Sequence, residues 1–116
     1  MRRAVPDTND EPPEYFSRKL GDSYSEFWDA MASTKEGAFL GVAGLPFGKP
    51  ATEESLDLHG RQTADVIIDK LALSKRDVVL EVGVGVGRLA RPIAPKVREY
   101  HGVDISRNMI DRALER

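Results

Sequence analysis

The chain has 116 residues, enough for about one domain with a modest core. Its net charge of −2 excludes a strong global preference for nucleic acid, and the absence of cysteine excludes disulfides. The charge is uneven, since residues 1–58 hold six Lys/Arg against eleven Asp/Glu, and residues 59–116 hold eleven against eight. The basic excess of the second half is scattered among acids, which indicates a solvated face rather than a track for phosphates.

The N-terminal segment, residues 1–14, is polar, acidic and proline-rich, which predicts a disordered tail. Met1-Arg-Arg3 is not followed by an apolar stretch, so no signal peptide is predicted. The longest apolar stretch, residues 38–47, is broken by glycines and a proline and is too short to cross a bilayer. We therefore expect a cytoplasmic protein with no membrane partner, and the sequence leaves its oligomeric state open.

Residues 15–76 are predicted to form helices that lead into the main domain. Ser23 and Glu26 resemble a capping box, and an aromatic stripe follows at helical spacing: Tyr24, Phe27, Trp28 and Met31. A second helix is predicted between Thr52 and Leu73, with Thr52 as the N-cap. Its expected buried face consists of Ala64, Ile67, Ile68 and Leu71. Gly60 interrupts this pattern and predicts a kink next to Arg61.

Residues 78–87 are the most informative part of the chain. Val78 to Val82 has the nearly continuous β-branched character of a parallel strand that is covered on both faces. Gly83, Gly85 and Gly87 then form a turn in which a ligand can lie against bare backbone. This strand and turn predict a site for a nucleotide-type cofactor.

Two charged residues decide which cofactor the turn favours. A dinucleotide fingerprint, G-x-G-x-x-G, would place its third glycine at position 88, which is Arg88. A carboxylate at Glu81 would repel the pyrophosphate of NAD or FAD at the helix N-terminus. S-adenosylmethionine (SAM) carries no phosphate but has an ammonium and a sulfonium, which an acid at the strand end attracts. The electrostatics therefore favour SAM.

A second αβ unit follows the turn. The apolar residues of 86–94 recur at helical spacing, and Tyr100 to Asp104 is predicted to be a second short strand. Asp104 lies 21 residues beyond Gly83, where an acid at the tip of the neighbouring strand can accept two hydrogen bonds from a ribose diol. This acid indicates a nucleoside without choosing between SAM and a dinucleotide.

No catalytic or metal-binding group is predicted. His59 and His101 lack metal-ligand spacing, and we interpret both as structural or exposed. Ser106 precedes an amphipathic run and is predicted to be a helix N-cap rather than a nucleophile.

The motif residues resemble those of a known family. Glu81-Val-Gly-Val-Gly-Val-Gly-Arg88 and Gly102-Val-Asp-Ile-Ser-Arg-Asn-Met109 are similar to the first and second motifs of class I SAM-dependent methyltransferases. The resemblance implies an α/β fold, a Rossmann-like doubly wound and mostly parallel sheet preceded by N-terminal helices. It also implies SAM-binding roles for the motif residues. Gly83, Gly85 and Gly87 would pass under the methionine and ribose, and Glu81 would orient the loop and the ammonium. Asp104 would bind the ribose hydroxyls and Ile105 would flank the adenine.

The resemblance carries further expectations about the chain. The family's sheet has seven strands, so residues 77–116, with the first two strands, would be the first half of the SAM-binding domain, and the chain an N-terminal fragment. Arg61 is a candidate partner for the SAM carboxylate, although a plain surface arginine is the other interpretation. Tyr24 and Trp28 either pack on the sheet or line the site of the methyl acceptor, which we expect to be a small molecule.

Two other functions stay open at this point. One is a fragment of an NAD(P)-dependent oxidoreductase, which would need a glycine in place of Arg88 and would tolerate Glu81 poorly. The other is a non-catalytic or truncated protein that has kept the cofactor fold. The residues within this chain identify no base for methyl transfer.

Overall fold

The computed structural model describes residues 24–44 and 49–116. The elements in chain order are α1 (Tyr24–Met31), α2 (Lys35–Ala43), α3 (Glu53–Leu71), β1 (Val78–Val82), α4 (Ala90–Ile93), a 3₁₀ turn (Ala94–Lys96), β2 (Glu99–Val103) and α5 (Arg107–Glu115). The predicted tail at residues 1–14, the capping residue Ser23 and residues 45–48 lie outside the described residues. Helices followed by an αβ unit confirm the predicted Rossmann-like class.

The described part of the sheet consists of β1 and β2, which pair in parallel from Val78 opposite Glu99 to Val82 opposite Val103. The described residues cover β1 on one face, and the coverage of its second face stays a prediction. Val78, Leu80 and Val82 are 49%, 64% and 79% exposed, because the described helices that contact the sheet cover its other face. The described residues therefore leave one apolar face of the strand exposed.

The predicted helix over residues 86–94 is much shorter than expected. The backbone of Gly87 has a φ of +73°, which is incompatible with a right-handed helix at that residue. Only Ala90–Ile93 is α-helical, and the chain then tightens into the 3₁₀ turn that contains Pro95. Proline lacks the backbone N–H that would continue an α-helix. The apolar residues at helical spacing therefore extend beyond the α-helix that forms.

Helix α2 was not predicted from the sequence. Thr34 has extended backbone angles, and its hydroxyl oxygen accepts a 3.0 Å hydrogen bond from the N–H of Gly37, as expected of an N-cap. Glycines at 37 and 41 lower the helix propensity of this segment. Ala38 and Phe39 are buried, so packing against neighbouring helices stabilises α2 where propensity does not.

Helix α3 confirms the predicted N-cap, because Thr52 and Ser55 form a reciprocal capping box. Ala64 is fully buried, but Leu71, which was expected on the same face, is 67% exposed because it lies in the last turn of the helix. The helix continues through Gly60. A Cβ there would lie 2.4 Å from the carbonyl oxygen of Arg88, so this glycine permits close packing on the glycine turn.

Two apolar clusters support the turn between β1 and α4. The first joins α2, α3, α5 and the turn itself, through the buried side chains of Ala32, Ala38, Phe39, Leu56, Val86 and Met109. The second joins α3 to the covered face of the sheet, through Ala64, Ile93 and Val97. The glycine turn is therefore held from both sides by the helical segment that precedes it. Among the described residues, every helix is too short or too polar to span a lipid bilayer.

Candidate functional site

The glycine turn adopts a backbone that only glycine takes readily. Gly83, Gly85 and Gly87 have φ values of +78°, +54° and +73°, all in the left-handed region. A Cβ on Gly83 would meet no atom within 4 Å, whereas one on Gly85 would lie 3.1 Å from the side chain of Val42 in α2. The turn thus presents bare backbone to open space at Gly83.

Asp104 connects the tip of β2 to this turn. Its Oδ2 accepts a 2.8 Å hydrogen bond from the backbone N–H of Gly85, and its Oδ1 accepts one of 2.9 Å from the N–H of Ser106. An ionised carboxylate offers about four acceptor positions, so each oxygen keeps capacity for a hydroxyl of a ligand. The predicted proximity of the two motifs is thereby observed directly.

Glu81 ends β1 beside the turn, with Tyr100 of β2 next to it. The hydroxyl of Tyr100 donates a 2.5 Å hydrogen bond to Glu81 Oε2. Burial raises the pKa of Glu81, as does nearby Asp104, while the hydrogen bond from Tyr100 and the charge of Arg88 act in the opposite direction. Burial and the Glu81 carboxylate likewise raise the pKa of Tyr100, which stays a protonated donor at neutral pH.

An open cavity of about 620 Å³ lies above the turn. Its walls come from four parts of the described chain: α1 and α2, the end of β1 with the turn, the end of β2, and α5. The lining includes Tyr24, Trp28, Gly41, Val42, Glu81, Val82, Gly83, Val84, Gly85, Arg88, Leu89, Val103, Asp104, Ile105 and Met109. Most of the site residues that the sequence indicated therefore surround one space.

Two of the indicated residues lie elsewhere. Gly87 faces α5, with its hypothetical Cβ 3.5 Å from Ala113, and lines a separate groove. Arg61 is exposed on α3 and does not line the cavity. Gly60 faces the turn, and the 100° rotation per helical residue directs the next side chain away from it. The structure thus does not bring Arg61 to the site.

Arg88 lines the cavity in place of Arg61, and its guanidinium also donates a 3.4 Å hydrogen bond to Thr63 Oγ1. In the sequence, Arg88 stands out only as a departure from the dinucleotide fingerprint. Its position directly after the last glycine could have indicated that it lies beside Glu81. Arg88 is the cation that the structure provides at this end of the cavity.

The aromatic residues of α1 lie on one helical face, with Phe27 buried and edge-to-face against Trp28. This helix packs mainly on α2 and α5, and not on the sheet as expected. Tyr24 is half exposed at the cavity, and its ring lies edge-on to Trp28 at 6.1 Å. Helix α1 thus packs on its neighbours and also lines the cavity.

Asp29 attaches α1 to the N-terminus of α5, which the sequence did not indicate. The hydroxyl of Ser106 donates to Asp29 Oδ1 at 2.5 Å, and the N–H of Asn108 donates to the same oxygen at 2.9 Å. Ser106, which is 0% exposed, also accepts from the N–H of Met109, so its predicted N-cap role is confirmed. The hydrogen bond from Ser106 is the main cause that lowers the pKa of Asp29.

The geometry suits SAM better than a dinucleotide. The turn offers bare backbone and Asp104 offers acceptors for hydroxyls, while the half-buried Glu81 places a carboxylate where a pyrophosphate would otherwise approach. Residues 24–44 and 49–116 hold no group of three or more His, Asp or Glu side chains placed to bind a metal ion.

A glycine turn between a parallel strand and a helix, with an acid at the tip of the adjacent strand, defines a Rossmann-like domain for a nucleoside cofactor. Residues 79–116 match the family described as "Methyltransferase domain". This part of the chain is therefore similar to the class I SAM-dependent methyltransferases.

The chain is also similar to three curated proteins. It is 33% identical over 58 residues to a ribosomal RNA small subunit methyltransferase A of Tolumonas auensis, covering 50% of this chain and 22% of that protein. The corresponding protein of Desulfotalea psychrophila is 32% identical over 50 residues, 43% of this chain and 17% of that protein. A probable non-canonical nonribosomal peptide synthetase of Salinispora arenicola is 31% identical over 91 residues, 78% of this chain and 1% of the synthetase.

The chain therefore spans about a fifth of the length of the two methyltransferases. The names of both methyltransferases refer to ribosomal RNA. No solved structure matches the chain.

Proposed function

We propose that this chain binds SAM in the cavity above its glycine turn and forms part of an enzyme that transfers the methyl group of SAM to an acceptor. The observation that carries the proposal is the link between Asp104 and the N–H of Gly85, which unites both motif residues at the edge of the cavity. SAM supplies an activated methyl group on a sulfonium. The task of the protein is then mainly to align that methyl group with the acceptor.

The cavity residues divide into three roles in this proposal. Asp104 binds the ribose hydroxyls, Ile105 flanks the adenine and Gly83 and Gly85 support the ribose and methionine portions. Ile105 is 57% exposed at the cavity, so an apolar surface is available to a base. Glu81 attracts the ammonium. Gly87 contributes to the shape of the turn from its other side.

Arg88 is the proposed partner of the SAM carboxylate. It lines the cavity close enough to Glu81 to lower the pKa of that acid. An adjacent carboxylate and guanidinium complement the ammonium and carboxylate at the amino-acid end of SAM. The Arg88→Ala variant should weaken SAM binding more than adenosine binding, while Arg61→Ala should affect neither. If Arg61→Ala, and not Arg88→Ala, weakened SAM binding more than adenosine binding, Arg61 would be the partner instead.

The proposed methyl acceptor is a small molecule or peptide that lies against Tyr24 and Trp28. These rings form the α1 wall of the cavity, and the longest similarity in the comparisons, over 91 residues, is to a peptide synthetase. The charged groups that line the cavity, Glu81, Arg88 and Asp104, do not form a basic track for a phosphate backbone. Methylation of ribosomal RNA, and of no small acceptor, would overturn this choice of acceptor.

Taken by itself, the 116-residue chain is proposed to have no methyl transfer activity. The described strands leave one apolar face exposed, and a two-stranded sheet is marginally stable on its own. Monomeric behaviour in sedimentation, a cooperative thermal transition and methyl transfer by the purified chain would contradict this.

Calorimetric titration of the full-length protein with SAM and with NADH tests the proposed cofactor. Binding of SAM without binding of NADH is expected. Preferential binding of NADH would favour the oxidoreductase, and binding of neither would favour a protein that has kept the fold without the ligand.

A further inference from the structure

Tyr100 is polar, partly buried and adjacent to the cavity, yet it does not belong to the described lining. It packs with the apolar cluster between α3 and the sheet, which includes Val79 and Leu89. Its hydroxyl reaches out of this cluster to Glu81 Oε2 at 2.5 Å. The tyrosine therefore contacts the cavity only through the carboxyl group of Glu81.

The strand register explains how the two side chains meet. Tyr100 is opposite Val79, and Glu81 is opposite Gly102, so Tyr100 and Glu81 are diagonal neighbours on one face of the sheet. A tyrosine is long enough to span such a diagonal. Gly102 has no side chain in the intervening position, and its hypothetical Cβ would clash with Val84 at 2.8 Å. The parallel register thus leaves a path for the hydroxyl.

Three groups on the neighbouring elements act on the Glu81 carboxyl. Arg88 in the turn and the Tyr100 hydroxyl on β2 favour its ionised form, whereas Asp104 after β2 opposes it. Burial also opposes ionisation, and it is the largest of these effects. A short hydrogen bond from a fixed donor is the kind of contact that keeps a partly buried carboxylate charged and limits its rotation.

We propose that Tyr100 is a positioning residue for the cofactor, whose hydroxyl holds the Glu81 carboxylate toward the ammonium end of SAM. The inference rests on the proposed function and extends it to a residue outside the cavity. Tyr100 supports recognition of the amino-acid part of SAM and leaves recognition of the nucleoside to Asp104. Its effect should therefore disappear with a ligand that lacks the amino acid.

The test compares SAM with 5′-methylthioadenosine, which has the nucleoside and the thioether but no amino-acid group. The Tyr100→Phe variant of the full-length protein should bind SAM about three- to tenfold more weakly and bind methylthioadenosine as the wild type does. His101→Gln is the matched control, because His101 is the next residue on β2 and is exposed on the opposite face. This control should change neither affinity.

A pH profile separates positioning from a merely structural role. Loss of the donor raises the pKa of Glu81 further, so the SAM affinity of Tyr100→Phe should begin to fall at a higher pH than that of the wild type. Placing 3-fluorotyrosine at position 100 preserves the packing and supplies a more acidic donor. The SAM affinity of this variant should then begin to fall at a lower pH than that of the wild type. This second variant keeps the test valid if Tyr100→Phe does not fold.

The Glu81→Ala background, which removes the acceptor, completes the test. If Tyr100 acts through Glu81, adding Tyr100→Phe to Glu81→Ala should not change the ratio of the two ligand affinities further. Equal loss of both ligands, additive effects in the double variant, or unshifted pH profiles would overturn the role of Tyr100. Failure of the wild type to bind SAM would instead refute the proposed function, and the role of Tyr100 with it.

Discussion

The N–H of Gly85 donates a 2.8 Å hydrogen bond to Oδ2 of Asp104, joining the glycine turn to the tip of the neighbouring strand. The two residues are 19 positions apart in the chain and line the same cavity. The acid thus has a structural task before any ligand arrives, since it fixes the conformation of the turn. Substitutions at these two positions should affect both the turn and the cofactor.

The first prediction concerns Asp104. Asp104→Ala in the full-length protein should weaken SAM binding by about 1.5–3 kcal/mol, roughly 10- to 150-fold, because hydrogen bonds to a charged acceptor are lost. Asp104→Asn keeps one carbonyl oxygen and should lose less. Calorimetry with SAM measures both variants, and unchanged affinity in Asp104→Ala would eliminate the ribose assignment.

The second prediction uses Gly83 and Gly85 as a matched pair. Alanine at either position should lower the free energy of unfolding by about 1–2 kcal/mol, because the backbone there is left-handed. Only at position 85 does the new Cβ press on Val42, whereas at position 83 it enters open space. Gly83→Ala should therefore reduce SAM affinity with the smaller loss of thermal stability, and Gly85→Ala should lower both further. Normal affinity in both variants would refute the idea that the cofactor lies on this turn.

The sequence predicted the glycine turn and the acid beside it, because short segments contain each of these features. The strand, the glycines and Asp104 are close in sequence, and the parallel pairing of β1 with β2 brings their carboxyl ends together. Ser106 and Thr52 were likewise predictable, because capping is a local interaction.

The contacts that the sequence did not predict join distant segments. Asp29 and Ser106 are 77 positions apart, and the side chain of Arg116 is only 4% exposed because it pairs with Glu53 and Asp57 of α3. Nothing in the local pattern of any of these segments indicates its partner. Arg61 is the opposite case, because it was predicted to lie at the site and does not line the cavity. Gly60, its neighbour in sequence, faces the turn, but the side chain of Arg61 does not.

The third prediction follows from the raised pKa of Glu81. An acid whose pKa is higher in the folded protein than in the unfolded chain contributes stability below its ordinary value of 4.5, and that contribution is lost as the pH rises through the folded value. Glu81→Gln removes the ionised group but keeps an oxygen that can accept from Tyr100. The variant should melt above the wild type at neutral pH, the difference should shrink toward pH 4.5, and SAM affinity should fall. A lower melting temperature at neutral pH would contradict this prediction.

The fourth prediction tests the packing of α3 on the turn. Alanine normally stabilises a helix by about 1 kcal/mol relative to glycine, but a Cβ at position 60 would lie 2.4 Å from the Arg88 carbonyl oxygen. Because the obstacle is backbone, the clash should outweigh the gain, at a cost of about 1–3 kcal/mol. Thermal unfolding should show Gly60→Ala below the wild type, while Gln62→Ala, at an exposed position of the same helix, should stay within about 0.5 kcal/mol. A more stable Gly60→Ala would mean that α3 does not pack this closely on the turn.

The last prediction concerns the attachment of α1 to the cofactor side of the molecule. Asp29 accepts from Ser106 and Asn108, and Ser106 in turn donates its N–H to Asp104, so α1 is linked to Asp104 through one buried serine. The pKa of Asp29 is lowered, so its contribution to stability is present above its ordinary value of 3.8 and is lost as the pH falls through the folded value.

Asp29→Asn should therefore melt below the wild type at neutral pH, with a difference that diminishes in strong acid. Its SAM affinity should fall less than that of Asp104→Ala, because Asp29 supports the site without lining it. Thermal unfolding over a pH series measures the first effect and calorimetry the second. Asp65→Asn, the same change at an exposed position of α3, is the control for a simple loss of charge. A stability difference that is constant with pH, or one that Asp65→Asn reproduces, would show that the Asp29 carboxylate does not hold α1 on the N-terminus of α5.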